Sequence, residues 1–506
     1  MSLAPVFTPE DFVGDDALMI AAAEQFSRDR VVPLAEAIDH QELGLMPKLI
    51  AEAGELGLCG IDTGDAYGGL GLGKNIAARI LEFMSLNGSF SVTYGITSGI
   101  SQVGLSLFGT EDQKQRWLPK LASGEQIGAY CLSEPNSGSD ALSATTRAET
   151  VPGGYRLTGT KMWISNAQWA DVFLVMAKVD GEHFTAFLVP RTAEGLTIER
   201  EEHKMGLKGS STARVTLDNV FVPSEDVLHE VGKGHQVAFN ALNIGRFKLA
   251  SMSIGPARYA LEISAAYAKD RRQFGRPIAE FGLIREKFAR MATLFWVAES
   301  AIYRTGAAID AAFAETGGTV DGNRAAAEKY AIECAMVKVF ATEAEGQIVD
   351  EALQVYGGYG FTEEFPIARV YRDARVSRIY EGTNEINRLF IASRAQKRDA
   401  VYSRDTWFGS LAQAAVDLNP ADQVGQGAVA DLLTYAFLDQ CACDRGERNV
   451  STFGPLYDSW LAIATPLATA AAHKLGIKAE AVPDRTNPNW DLIGEETIER
   501  GKPWRV

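Results

Sequence analysis

The residues best placed to do chemistry lie in Ile379-Tyr380-Glu381-Gly382-Thr383-Asn384-Glu385-Ile386. One carboxylate stands there directly before a glycine, in a long helical stretch that is otherwise apolar or basic. A glycine in that position ends or kinks a helix and lets backbone come close to a ligand. The acid ahead of it is then presented at the floor of a cavity. A carboxylate closed in among apolar groups loses hydration, its pKa rises, and it becomes a stronger proton acceptor. Taken alone, the string is equally a helix end with a surface acid.

Three further segments accompany it. They are Tyr130-Cys131-Leu132-Ser133-Glu134-Pro135-Asn136-Ser137-Gly138-Ser139-Asp140, Lys161-Met162-Trp163-Ile164-Ser165-Asn166 and Gln354-Val355-Tyr356-Gly357-Gly358-Tyr359-Gly360-Phe361. The last continues through Glu364, Arg369 and Asp373. In this order and spacing the four segments resemble the signature set of the acyl-CoA dehydrogenase family, over about residues 10 to 395. The likeness leans to the very-long-chain branch through Asn243-Ile244-Gly245-Arg246-Phe247, Phe281-Gly282-Leu283-Ile284 and Glu381-Gly382-Thr383-Asn384.

The resemblance implies α,β-dehydrogenation of an acyl-CoA to the trans-2-enoyl-CoA. A base must take the weakly acidic α-proton and an acceptor must take the β-hydride. No side chain accepts a hydride, so an organic cofactor does, and the family implies FAD. Glu381 matches the family's base. Some relatives carry the base near residue 245, but Gly245 cannot take a proton. Tyr130, Leu132, Ser133, Gly138 and Ser139, with Trp163, Ile164 and Ser165, match the flavin cradle. A lone Trp-Ile-Ser would be a buried strand. Arg271 and Phe274 match a pyrophosphate contact that in the family serves the neighbouring subunit's FAD, and a guanidinium offers a diphosphate a bidentate fork. Gln354, Gly357 and Gly358 approach the same FAD. Thr383 and Glu385 lie towards the cofactor. Gln273 stands where many relatives have Thr.

For the substrate, the resemblance carries over Ser139, Asn243, Arg246 and Gly382, although Arg246 is equally a helix-surface charge. Arg388 and Arg394 are basic and nearby, while the CoA-contacting Arg of medium-chain relatives falls on Ser393. Medium-chain relatives close the acyl pocket with Gln and Glu where this chain has Val92 and Ile96, flanked by Gly95 and Gly99. A medium-to-long straight acyl chain is favoured, since each buried methylene contributes roughly 0.8 kcal/mol. Electron-transferring flavoprotein is the implied acceptor, and a homodimer or homotetramer the implied assembly.

Three textures must position these residues. Residues 1–125 read as a helical domain, with an Ala-rich run from Ala17 to Val31 and apolar spacing of three and four from Met46 to Leu58. The glycines of Tyr67 to Gly73 form a loop, not a dinucleotide fingerprint. Residues 126–235 carry short β-rich runs, Tyr155–Thr160, Val172–Met176, Phe184–Val189 and Ala213–Leu217. Residues 236–395 return to long helices, with breaks expected at Gly255-Pro256, Gly275-Arg276-Pro277 and Gly317-Gly318. The expected fold is α+β, mainly α: an N-terminal helical domain, a central β-barrel and a C-terminal four-helix bundle, as the family implies. Residues 396–506 form a helical extension. Val429, Leu432, Leu433, Ala436 and Phe437 make one apolar stripe, a second helix spans Leu456 to Leu475 interrupted at Pro466, and the tail from Val482 carries no assigned structure.

At 506 residues the chain has room for two or three domains, and 46% hydrophobic with 23% charged residues is ordinary for a globular protein. A net charge of −16 argues against nucleic acid, whose phosphates need a basic surface. Five scattered cysteines fit a reducing compartment, and neither they nor the six histidines have metal spacing. With no targeting or bilayer-length segment visible, a cytoplasmic enzyme is expected, its extension packed on its own core rather than on a membrane. An acyl-CoA oxidase and an assembly protein that keeps the fold are the rival readings.

Overall fold

The computed structural model describes residues 6–397, 406–480 and 488–504. They fold as two compact units, Leu18–Lys248 with Ala312–Lys329, and Met1–Ala17 with Leu249–Ala311 and Tyr330–Val506.

The first unit opens with helices α1 (Asp15–Phe26), α2 (Ala35–Asp39), α3 (Leu45–Glu55), α4 (Lys74–Met84), α5 (Gly88–Gly95), α6 (Ser101–Phe108) and α7 (Glu111–Ala122). Polar caps set the starts of two of them. Asn87 accepts from the Phe90 N–H at 3.0 Å to begin α5, and Thr110 and Gln113 form a reciprocal capping box on α7. A π-helical turn, Ile96–Ile100, joins α5 to α6.

Eight strands follow: β1 (Gly128–Cys131), β2 (Arg147–Val151), β3 (Gly154–Ser165), β4 (Val172–Val179), β5 (His183–Pro190), β6 (Leu196–Glu201), β7 (Thr212–Pro223) and β8 (Val227–Leu228). They pair in the order β6-β7-β3-β2-β4-β5-β8, and β1 runs parallel to the start of β4. Among the described residues, β6 and β8 are not paired with each other, so the hydrogen bonds trace an open path. That path encloses one apolar core, with Leu157, Phe173, Val175, Phe187, Val215 and Val220 inside. The strands β1, β2, β6 and β8 lie outside the expected β-rich runs because each is short or interrupted by charged residues, as in Arg147–Val151 and Leu196–Glu201. Helix α10 (Val320–Lys329) belongs to this unit, with Arg324 donating to the Leu107 carbonyl at 3.0 Å.

The second unit takes the later part of α8 (Gly234–Asp270), then the β9–β10 hairpin (Arg272–Gln273, Arg276–Pro277) and most of α9 (Gly282–Glu315). It continues with α11 (Ala331–Tyr356), α12 (Pro366–Ala374), α13 (Asn384–Ala395), α14 (Trp407–Leu418), α15 (Gln423–Arg448), α16 (Val450–Lys474) and α17 (Trp490–Arg500).

Two expected breaks are absent. Helix α8 runs through Gly255-Pro256, where both residues are buried, so packing offsets the lost hydrogen bond. Helix α16 runs through Pro466, whose exposed position leaves the orphaned carbonyl to water. The tail also departs from expectation. Asn489 caps α17 through the Leu492 N–H at 3.1 Å, Ile493 and Ile498 are buried, and Gly501 closes the helix at φ 61°. The start of the tail, residues 482–487, lies outside the described residues.

In the extension, the five stripe residues Val429 to Phe437 are each at most 1% exposed, and α15 packs on α13, α14 and α16. No helix of the described residues is long and apolar enough to cross a membrane.

Candidate active site

The turn that carries Glu381 is built at both ends. A 3-10 turn, Arg375–Arg378, follows α12, and Thr383 caps α13 by accepting from the Ile386 N–H at 3.2 Å. Between them Glu381 and Gly382 have φ of 56° and 79°, both left-handed. Gly382 therefore does not end a helix; it shares a turn that launches one. The Gly382 carbonyl accepts from Lys338 Nζ at 2.9 Å and from Asn387 Nδ2 at 2.8 Å. Glu381 is partly exposed, as a group that meets a ligand must be. Glu385 stands exposed in the first turn of α13. Its own backbone N–H and the Thr383 hydroxyl hold its carboxyl below the usual range, with Arg388 and Lys338 adding to the effect.

Behind the turn lies a buried acid that sequence reasoning did not single out. Burial pushes Glu345 up to about 8, against the Ser377 and Ser253 hydroxyls and the Arg378 charge, with Asp373 reinforcing the rise. Tyr380 sits among the same groups. Burial, then the charges of Glu345, Glu381 and Asp373, push its phenol well up, so it stays a neutral donor. Spacing could not reveal Glu345, because an acid in a helix that also carries Glu343, Asp350 and Glu351 reads as part of a solvated face.

In the first unit, β3 pairs with β7 through a register shift between Lys161 and Ile164, and Trp163 sits in that irregularity at φ 57°. The bulge turns its ring outward, 57% exposed, while Ile164 next to it is buried at 2%. Met162 N–H donates to the Ser133 carbonyl at 2.9 Å, which ties the two motif segments together. Tyr130, Leu132, Ser133 and Ser165 are half-buried, and Gly138 and Ser139 are exposed. A Cβ at Gly138 would meet nothing within 4 Å, so the loop leaves open space for a ligand. An open loop edge with an outward indole suits a flat aromatic cofactor.

The loop is anchored by a buried ion pair. Lys161 donates to Glu134 at 2.7 Å, and the two side chains are 0% and 3% exposed. Glu134 also accepts from the Thr145 N–H at 2.6 Å and the Thr146 N–H at 3.1 Å. Burial alone would raise its carboxyl, but the Lys161 charge and these donors take it down to about 2. Both residues lie inside the quoted motifs; their pairing is visible only once β3 is folded.

In the second unit, the Arg271 guanidinium lies over the Tyr359 ring, 5.4 Å from its centroid. That places it at the segment carrying Gln354, Gly357 and Gly358, and a Cβ on either glycine would meet nothing within 4 Å. Phe274, at φ 52°, is 94% exposed. Gln273 is exposed and donates to the Arg272 carbonyl at 2.7 Å.

Of the residues assigned to CoA, Arg246 is not a surface charge: it is 7% exposed and donates to Asn243 Oδ1 at 3.1 Å. Arg388 is committed elsewhere, to both Glu343 oxygens at 2.7 and 3.0 Å and to Asp431 at 2.7 Å. The Ser393 hydroxyl donates to the Phe390 carbonyl at 3.0 Å. Beside Gly99 the space is filled: a Cβ there would stand 3.6 Å from the Lys248 stem. Lys248 pairs with Asp62 at 3.0 Å and Lys74 pairs with it at 2.8 Å. Burial works against ionisation of Asp62, yet the two ammonium groups hold it far below the usual range. This charged cluster beside Ser98 and Gly99 left no sequence signal, since its members are far apart in the chain. No metal-holding group of His, Cys, Asp and Glu occurs among the described residues, and the five cysteines are free thiols.

The sequence matches three family models, described as acyl-CoA dehydrogenase N-terminal, middle and C-terminal domains, over residues 15–125, 129–220 and 232–396. It is 47% identical over 399 residues to a probable acyl-CoA dehydrogenase of Bacillus subtilis, covering 78% of this chain and 67% of that one. The human mitochondrial very long-chain specific acyl-CoA dehydrogenase is 43% identical over 350 residues, covering 67% of this chain. This chain spans about half the length of that relative, 51%. Among solved structures, an acyl-CoA dehydrogenase complexed with FAD from Bacillus anthracis matches with a TM-score of 0.93 and 36% identity, covering 100% and 98% of the two chains. Butyryl-CoA dehydrogenase from Megasphaera elsdenii matches with a TM-score of 0.70 and 31% identity, covering 77% of this chain and 99% of that one.

Proposed function

Since the chain belongs to the acyl-CoA dehydrogenase family, we propose that it is an FAD-dependent enzyme converting a medium-to-long straight-chain acyl-CoA to the trans-2-enoyl-CoA. The observation that carries this reading is Glu381, a carboxylate held in a left-handed turn and partly exposed. FAD, when bound, supplies the acceptor for the hydrogen and electron pair leaving Cβ. Glu381 removes the α-proton as H⁺. Ser133, Ser165, Trp163 and the open edge at Gly138 offer hydroxyls, an indole face and free backbone to hold a flavin. Arg271 offers a cation for its diphosphate, with Gln354 and the open Gly357 and Gly358 beside it.

Asn243, Arg246, Ser139 and Gly382 are the residues assigned to the thioester substrate. Arg388, basic and nearby in sequence, does not join them, because Glu343 and Asp431 already take its donors. The apolar Val92 and Ile96 support an acyl pocket without polar plugs, although Lys248 bounds it on the Gly99 side. Electron-transferring flavoprotein as acceptor, a homo-oligomer and a cytoplasmic location complete the reading.

The test is Glu381→Gln. The amide keeps the shape and has no basic oxygen for the α-proton, and a positioned base contributes about 10²–10⁴-fold. Anaerobic mixing of FAD-loaded protein with saturated acyl-CoA of graded length should bleach the wild-type flavin. The variant should give a spectral perturbation without bleaching. Bleaching near the wild-type rate would place the base elsewhere, and rapid reoxidation of the wild type in air would favour an oxidase.

A further inference from the structure

A left-handed glutamate costs about 1 kcal/mol or more, and it persists only where its surroundings over-determine it. At Glu381-Gly382 two buried side chains do this: Asn387, whose Nδ2 donates to the Gly382 carbonyl at 2.8 Å and the Thr383 carbonyl at 3.1 Å from within α13, and Lys338 from outside it. Lys338, on α11, is 0% exposed. Its Nζ donates to the Gly382 carbonyl at 2.9 Å and to Asn384 Oδ1 at 2.7 Å. Asn384 in turn donates to the Thr342 hydroxyl at 3.1 Å and to Glu343 at 3.0 Å. One ammonium therefore grips the turn just after the acid and the first residue of the helix that follows.

A buried cation there is more than the backbone needs. A buried charge is costly, and one beside the N-terminus of α13 opposes the helix dipole. Asn387 already donates to the same carbonyl at 2.8 Å, so the backbone oxygen would not be left unpaired without the lysine. What the lysine adds is a rigid tie between the turn and α11.

We propose that Lys338 is the positioning residue for proton abstraction: its ammonium pins the Gly382 carbonyl and Asn384, and so fixes the direction in which the Glu381 carboxylate points. The proposal rests on the reading of Glu381 as base. Lys338 acts through the turn and not on the substrate. A displacement of about 1 Å at a reacting group costs on the order of 10²-fold in rate.

The experiment uses the FAD-loaded full chain carrying Lys338→Met, which fills the space and removes the donor. Flavin bleaching at saturating acyl-CoA should slow by about 10²-fold, with KM within about threefold of wild type. In cofactor-free protein, deuterium uptake should rise in the peptide covering residues 379–387 and stay unchanged in β4 and β5. Lys338→Arg, which keeps a cation and donors, should recover about tenfold of the lost rate. Should Lys338→Met not accumulate folded, Lys338→Gln carries the test, with the same split and a loss of about tenfold.

Bleaching at the wild-type rate, a loss matched by KM, no recovery with arginine, or unchanged exchange at residues 379–387 would each overturn the proposal. A wild type that no acyl-CoA bleaches would sink the functional reading instead, and the exchange comparison would still judge the tie.

Discussion

Glu345 makes the stability of the fold depend on pH. Its folded carboxyl stands near 8 against an ordinary 4.5, chiefly through burial. A raised pKa means that the fold favours the protonated acid. The associated stability is complete below the unfolded value and is lost as pH rises through the folded one. Wild-type urea midpoints should therefore fall between about pH 5 and about pH 8, and Glu345→Gln, permanently neutral, should show a shallower fall. Equal slopes for the two proteins would mean that Glu345 is not the group responsible. The same residues show what a sequence discloses and what it hides. The turn at Glu381 is legible because a glycine after an acid marks backbone that has left the helix. Glu345 and Lys338 were not, because a single charge in a helix is buried or solvated according to which face the other helices cover. Pairings over long separations, such as Lys161 with Glu134 and Lys248 with Asp62, were hidden for the same reason.

Among elements, the informative one is α17, in the tail to which no structure was assigned. It docks beside the segment leading into α9: Arg285 reaches Asp491 at 3.0 Å and Glu495 at 2.8 Å, and Lys269 donates to the Glu499 carbonyl at 2.8 Å. The contact is close because Gly494 lacks a side chain; a Cβ there would stand 1.9 Å from the Arg285 carbonyl oxygen. Gly494→Ala must therefore lift the helix, although alanine is the better helix former. A loss of about 1–3 kcal/mol is expected, with faster proteolysis within α17. Unchanged stability and cleavage would show that α17 does not dock in this way. Helices were legible wherever an apolar stripe was continuous, as at Val429 to Phe437. Prolines misled where packing or water offsets the missing hydrogen bond, as at Pro256 and Pro466. The acids Asp431, Asp439 and Asp444, which a sequence argument would turn towards solvent, face Arg388, Tyr457 and Arg304.

At the scale of the whole molecule, the second unit combines a closed interior with an uncovered apolar surface. Arg445 on α15 ties that interior together, donating to Glu299 at 2.9 Å and to Ser300 at 3.1 Å, and pairing with Glu10 near the start of the chain. Yet Phe274 is 94% exposed, Phe361 88% and Leu283 77%, and Tyr359 beneath Arg271 is 48% exposed. Large apolar side chains are seldom left so open to water, and Phe274 holds its left-handed φ of 52° as the first central residue of the two-residue β9–β10 turn, which sets its ring at the hairpin tip. A second copy is the occupant that the functional reading requires, because Arg271 and Phe274 are assigned to a neighbouring subunit's cofactor. Sedimentation of the yellow protein should give a dimer or larger at micromolar concentration. Phe274→Asp, which sets a charge on that surface without touching a buried residue, should shift the distribution towards monomer and release FAD together with it. If wild type sediments as a monomer that keeps its FAD through gel filtration, each chain holds its own cofactor and the exposed aromatics must serve something else.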